Sequence, residues 1–224
     1  MAKAKAASEP DTLREKAYRS FTQHLLASHF RPGQFVSQRD LVEITGMPLG
    51  AIRELVPRLE AEGLITTVPQ RGMQIAAIDF NLVRDAYQFR AFMEKEAVVI
   101  FTEEAPDSAI IALREQHEAV LRKAEAEDPA DPAIIAEAQT VDWGMHDTII
   151  DAVRNEILSK SYRVNSLKIR LIHQSLTRIN GHVIPVMREH LGIIAAIEAR
   201  DARLAAQRLA AHIADARNRA LGLR

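Results

Sequence analysis

The chain has 224 residues, 47% hydrophobic and 26% charged, the balance of an ordinary soluble globular protein with enough apolar material for a core. This excludes a disordered or fibrous chain. No apolar run approaches the ~18 residues of a membrane span, and the first ten residues lack the apolar stretch of a secretory signal. The absence of cysteine rules out disulfides and thiolate metal sites and fits a cytoplasmic address. The net charge of −1 hides a small asymmetry, with 10 Lys+Arg against 8 Asp+Glu in residues 1–78 and 19 against 22 thereafter. That is too little to signal nucleic acid by itself.

Glycine and proline divide the chain more clearly. Ten of the eighteen fall in the first 72 residues, so short elements and tight turns are expected there and long helices after them. The predicted organisation is a flexible tail over 1–11, a small domain over 12–78 and a helical domain over 79–224. Thr12-Leu-Arg-Glu15 reads as a capping box opening a helix to about Ser28, and Arg31-Pro-Gly33 turns the chain. Ser37 to Asp40 starts a short second helix that Gly46 stops. A third helix runs from Pro48, a favoured first position, to Glu62. Pro57 inside it removes a backbone donor and predicts a kink or break. Leu64–Val68 and Met73–Ala77 are β-capable runs around Pro69-Gln-Arg-Gly72, a hairpin. Helix, helix, tight turn, helix and hairpin is the layout of a winged helix-turn-helix.

The rest reads as six helices with short connections, an antiparallel all-α bundle. Asp79 caps the first, to about Glu104, with Phe89, Met93, Ala97 and Ile100 as its apolar stripe. Asp107 caps the next, to about Glu127, and Asp131-Pro132 starts a third, to about Val153. Three more are expected over roughly 156–179, 185–199 and 201–221.

Two constellations carry chemistry. In the small domain a helix-turn-helix lays its second helix in the major groove. Arg53 is one turn into that helix, flanked by Arg39 on the preceding helix and Arg71 at the wing tip. Arginine pairs bidentately with guanine or phosphate; the alternative is solvated arginines offset by neighbouring glutamates. In the helical domain Asp142 and His146 are spaced i, i+4, one turn apart on one face that Ile149 and Ile150 turn inward. His190 shares the face of Ile193, Ile194 and Ile197, and His212 that of Leu209. One carboxylate and three imidazoles on three inward helix faces suit a borderline divalent metal, zinc foremost, with nickel or manganese as alternatives. The alternative is hydrogen-bonded core histidines. His24, His29, His117, His173 and His182 fall outside the pattern. Tyr87, Arg90 and Glu94 share one helix face, and an inward charged stripe is costly unless it meets a ligand or closes as an Arg90–Glu94 ion pair.

Gln34 to Leu41, Thr45 to Ile65 and Pro69-Gln-Arg-Gly72 together resemble the GntR-type winged helix over residues 12–78. The resemblance implies DNA contacts at Arg39, Arg53 and Gly72. It fails at Pro48-Leu-Gly-Ala51, where the family has Ser-Arg-Thr-Pro or similar, so Leu49 replaces a base-reading arginine and no operator sequence is implied. Tyr87 to Glu94, Asp142-Trp-Gly-Met-His146 with Asn155, and Glu189-His190 with Asp201 and His212 resemble the FCD ligand-binding domain of FadR-subfamily regulators. That resemblance implies metal binding by Asp142, His146, His190 and His212, and an effector carboxylate reached by Arg90.

The expected function is therefore that of a transcription regulator and not an enzyme. As the family implies, it would bind a pseudo-palindromic double-stranded operator as a homodimer under the control of a small organic acid, with no membrane partner. A metal-dependent hydrolase using the same Asp/His cluster is the rival reading, weakened by the lack of a spare general base. A purely structural metal is the third.

Overall fold

The computed structural model describes residues 12–176 and 182–223. The tail expected over 1–11 and the end of the helix expected to reach 179 lie outside the described residues. Thr12 and Glu15 close the predicted capping box at the start of α1, Leu13–Leu26. Two residues, Phe35–Val36, form β1, a strand the sequence pattern does not reveal because two residues show no alternation. Ser37 and Asp40 form a second capping box for α2, Gln38–Thr45, and Gly46 ends it in the left-handed region at φ 66. α3 spans Leu49–Ala61 and runs through Pro57 without the break that was one of the two expected outcomes. Pro57 and Arg53, whose carbonyl loses its amide partner, both lie on the exposed face, where water can take the freed acceptor.

β2, Ile65–Val68, and β3, Gly72–Ile75, form the predicted hairpin, and β1 pairs with the other edge of β3 in the order β1-β3-β2. Val68 faces Gly72, and Val36 faces Met73. The core beneath is apolar: Phe21, Leu25, Leu41, Ile52, Leu55, Leu59 and Ile75 are fully buried, and Phe21 stacks on Phe30 with centroids 5.2 Å apart.

The chain divides between Ile78 and Asp79 into two compact units. The second contains α4, Phe80–Glu104, and α5, Asp107–Ala126, then α6, Pro132–Asp151, and α7, Glu156–Leu176, followed by α8, Val183–Glu198, and α9, Ala202–Ala220. Asp79, Asp131 and Asp201 cap α4, α6 and α9 as the sequence predicts. Pro106 rather than Asp107 stands at the N-cap of α5, and α8 starts two residues before Pro185. Asn155 accepts from the amides of Ile157 and Leu158 at the start of α7, a capping role. α4 packs along α9 and α7, while α5 packs against α8.

The buried stripe of α4 is the face of Tyr87, Arg90 and Glu94, and of the predicted apolar stripe only Ala97 is fully buried. Val83, Ala86, Tyr87, Arg90, Glu94, Ala97, Val98 and Phe101 face inward, whereas Phe89, Met93 and Ile100 are only half-buried. The charged positions turn inward because partners await them there. Among the described residues, no helix is long and apolar enough to cross a membrane.

Candidate functional site

The i, i+4 spacing on α6 brings Asp142 and His146 to one face, and α8 and α9 add His190 and His212. All four are buried, and one ligand atom from each lies within 4.8 Å of the others. His190 Nε2 is 3.2 Å from Asp142 Oδ1 and 3.2 Å from His212 Nε2. His146 Nε2 is 3.9 Å from Asp142 Oδ1 and has no hydrogen-bond partner although buried.

The opposite ring nitrogens decide the tautomers. A carbonyl only accepts, so the 2.6 Å contact between Leu113 O and His117 Nδ1 puts the proton on that nitrogen. His117 Nε2 is then the acceptor of a neutral ring, and His190 Nδ1–H donates to it over 3.1 Å. His146 Nδ1–H donates to Glu94 Oε2 at 2.6 Å, and His212 Nδ1–H to Glu189 Oε2 at 2.7 Å. All three rings therefore turn a bare Nε2 lone pair toward the Asp142 carboxylate. Such an arrangement repels itself without a cation and fits a divalent ion with three nitrogen donors and one oxygen, each imidazole oriented from behind. Burial holds His190 well below the usual imidazole range, with His212 and His146 adding to the effect. Burial lowers His212 and His117 as well. Neutral rings are what metal ligation requires.

On the α4 and α7 side lies a polar cage. Arg90 Nε donates to Glu94 Oε1 at 2.6 Å, and the Tyr162 hydroxyl donates to the same oxygen at 2.5 Å. Burial pushes the Glu94 carboxyl up, but the Arg90 charge and the hydrogen bonds from His146 and Tyr162 outweigh it and hold it at about 2. Both Glu94 oxygens are thus taken, so Glu94 serves to orient His146 and anchor Arg90. Arg90 is 4% exposed, and its Nη2 has no partner; the Arg90–Glu94 pair forms without satisfying the guanidinium. Tyr87 is committed to His173, hydroxyl to Nε2, at 2.9 Å. Burial pushes Tyr87 up to about 12 and His173 down to about 4. A cavity of about 10 Å³, lined by Arg90, Trp143, His146 and Ser166 among others, adjoins this cage. It has room for about one water.

Four contributors escape the sequence reading. Glu189 directly precedes a candidate ligand yet serves a different one, His212. His117 lies on the buried stripe of Ile110, Leu113, Val120 and Ala124, a signal that could have drawn it in. His173 and Tyr162 belong to no local motif.

In the first unit Arg39 and Arg53 are exposed and hold no side-chain ion pair among the described residues. Arg58 is different: it pairs with Glu62 at 2.9 Å and lies over the Tyr18 ring at 3.5 Å, which takes it out of play. Arg71 lies 4.4 Å above the Phe35 ring at the wing. Gly72 adopts φ +89, and a Cβ there would meet the Val36 carbonyl oxygen at 2.9 Å. The wing requires glycine at this position on steric grounds alone.

Comparisons with known proteins agree with this division. Residues 13–75 match the family of bacterial regulatory proteins, gntR family, and residues 85–215 match the FCD domain. The Nta operon transcriptional regulator of Aminobacter aminovorans is 30% identical over 142 residues, 63% of this chain and just under two thirds (64%) of that regulator's length. The HTH-type transcriptional regulator YdhC of Bacillus subtilis is 26% identical over 87% of this chain and 85% of its own. Among solved structures, E. coli McbR/YncC superposes with a TM-score of 0.73 at 18% identity, over 92% of this chain and 95% of that one. The two curated relatives are named transcriptional regulators and both family models are of regulatory type, which speaks against the hydrolase reading. With more than half of its length matching the FCD domain and its winged head matching the gntR model, the chain belongs to the GntR family as a DNA-binding transcriptional regulator.

Proposed function

We propose that Asp142, His146, His190 and His212 bind one divalent metal, zinc first among the candidates, and that a small organic acid joins it there to control operator affinity. The observation that carries this reading is the convergence of three imidazole lone pairs and a carboxylate in a dry site, each ring oriented from behind. The metal would supply a Lewis-acidic centre for a carboxylate oxygen. Arg90 would hold the acid's charge through its free Nη2, Glu94 would keep Arg90 and His146 in place, and Tyr87 would brace His173 beside them. In the head, Arg53 would reach a base edge while Arg39 and Arg71 hold phosphate. Gly72 allows the wing to lie close to the backbone. The chain would act in the cytoplasm as a homodimer on a pseudo-palindromic operator. The acid switches it only through unequal affinity for the two DNA-binding states.

Metal analysis of purified protein, with thermal melts in the presence of chelator and of added zinc, tests the centre. His146→Ala and His190→Ala should each lose metal and effector response while the apo-protein keeps its DNA binding. His182→Ala, an exposed position at the α8 N-cap, is the control; His117 cannot serve as one because it holds His190. A metal-free protein whose melt ignores both chelator and zinc overturns the reading. The one-water cavity favours a second reading, a metal that only holds the bundle closed. Chelation that lowers the melting temperature but leaves effector response intact would select it.

A further inference from the structure

The polar groups around the small cavity are unbalanced, and the imbalance describes the missing ligand. Arg90 Nη2, Trp143 Nε1 and Arg170 Nε are buried N–H donors with no acceptor. Of the other polar groups lining the cavity, the Tyr162 hydroxyl is spent on Glu94 and the Asn165 amide on the Ala86 carbonyl at 3.0 Å, while the unpartnered His146 Nε2 belongs to the Asp142 cluster. A buried donor without an acceptor is costly; Arg90 and Trp143 line the cavity and Arg170 stands over the Trp143 ring, so the three together call for a partner rich in acceptors. The donors fall into two groups. Arg90 stands beside His146 at the metal-ligand end. Trp143 and Arg170 form the other, with the guanidinium 4.3 Å above the indole ring. Arg170 Nη2 approaches Asp147 Oδ2 only to 3.6 Å, while Arg163 engages the other oxygen at 2.6 Å.

We propose that the effector is a short dicarboxylate, with one carboxylate on Arg90 and the metal and the second on the N–H groups of Trp143 and Arg170. This rests on the metal-and-acid reading above and sharpens it. Two donors from adjacent side chains match the two oxygens of a carboxylate, and the Arg170 charge favours an anion there over a neutral hydroxyl. In the closed form the cavity is about 10 Å³, so such a ligand enters only if α6 and α7 part. The seam between them is built for that: Arg163 bridges Asp147 and Asp151, and Arg170 adds to Asp147. Exposed and half-exposed ion pairs of this kind hold weakly and exchange readily for an incoming anion.

The test compares matched acids on the zinc-loaded full chain by calorimetry: succinate against butyrate, and malonate against propionate. At least one diacid should bind ten-fold or more tightly than its monoacid, and should shift the fluorescence of Trp143, the chain's single tryptophan. Trp143→Phe keeps the ring and removes the donor, and should erase most of that preference. Arg170→Gln should do the same and guards against a packing effect at Trp143. Equal affinities for both members of each pair, or a preference that survives both substitutions, overturns the proposal while leaving the metal-and-acid reading standing. A zinc-loaded chain that binds neither class overturns that reading and this inference together.

Discussion

The two units of the chain put their charges in opposite places. In the winged unit the described core is apolar apart from Thr22 and Thr45, and Arg39, Arg53 and Arg71 are exposed. In the helical unit Arg90, Glu94, Asp142 and four histidines are buried. A surface that recognises a polyanion needs cations on long, solvated stems, and a dry core beneath is all the support they require. A site for a small charged ligand needs its groups desolvated and fixed, and the fold must counterbalance each one. The proposed functions lie on the outside of one unit and in the interior of the other.

The sharpest way to break this contrast is to remove a charge from each. Glu94→Ala strands the buried Arg90 and frees His146 and Tyr162, and should cost about 3–5 kcal/mol in a urea titration. The next test uses acid on metal-free protein. His173 is neutral when folded, with its pKa near 4 against about 6.5 unfolded. Stability is therefore full above pH 6.5 and falls as the pH drops toward 4, by about 3 kcal/mol from this residue, because only the unfolded chain takes up the proton. His190, His212 and His117 act in the same direction. Glu94, lowered from 4.5 to about 2, keeps its full contribution down to about pH 4.5 and loses it as the pH falls on toward 2. A flat stability curve between pH 6.5 and 4 would refute the dry interior.

Gly72→Ala should destabilise the winged unit by about 1–2 kcal/mol through its positive φ and the Val36 carbonyl. Smallest of all, Arg53→Ala and Arg39→Ala should change stability by less than about 0.5 kcal/mol. In DNA binding, however, Arg53→Ala should cost roughly 1–3 kcal/mol on the operator alone, and Arg39→Ala should weaken all sequences alike. Gel-shift titrations against operator and random DNA at two salt concentrations separate the two.

What the sequence made legible follows the same division. Caps at Thr12, Ser37, Asp79, Asp131 and Asp201 are local, and so is the i, i+4 pair on α6; both could be read from a few neighbouring residues. The convergence of His190 and His212 could be inferred because each shares a stripe with isoleucine or leucine. Partners at long range were not legible. His117 reaches His190 across 73 positions, and Tyr87 reaches His173 across 86. Nothing in the local pattern records such distances. The predicted stripe of α4 failed for a related reason. Hydrophobicity selected Phe89 and Met93 as the inward face, but the bundle's interior is polar where α4 crosses it and selects Arg90 and Glu94 instead. Pro57 misled in the opposite sense, since its cost depends on whether the freed carbonyl faces water.

Glu94 also has a mechanical position. It lies fourteen residues into α4, about 21 Å from Phe80 at 1.5 Å per residue, and it grips His146 across to α6. That gives α4 the geometry of a lever with its fulcrum beside the cluster of Asp142, His146, His190 and His212. A rotation of about 3° about Glu94 would sweep Phe80 through about 1 Å. Four residues, Ala76 to Asp79, are all that separate that end of the helix from the last strand of the wing.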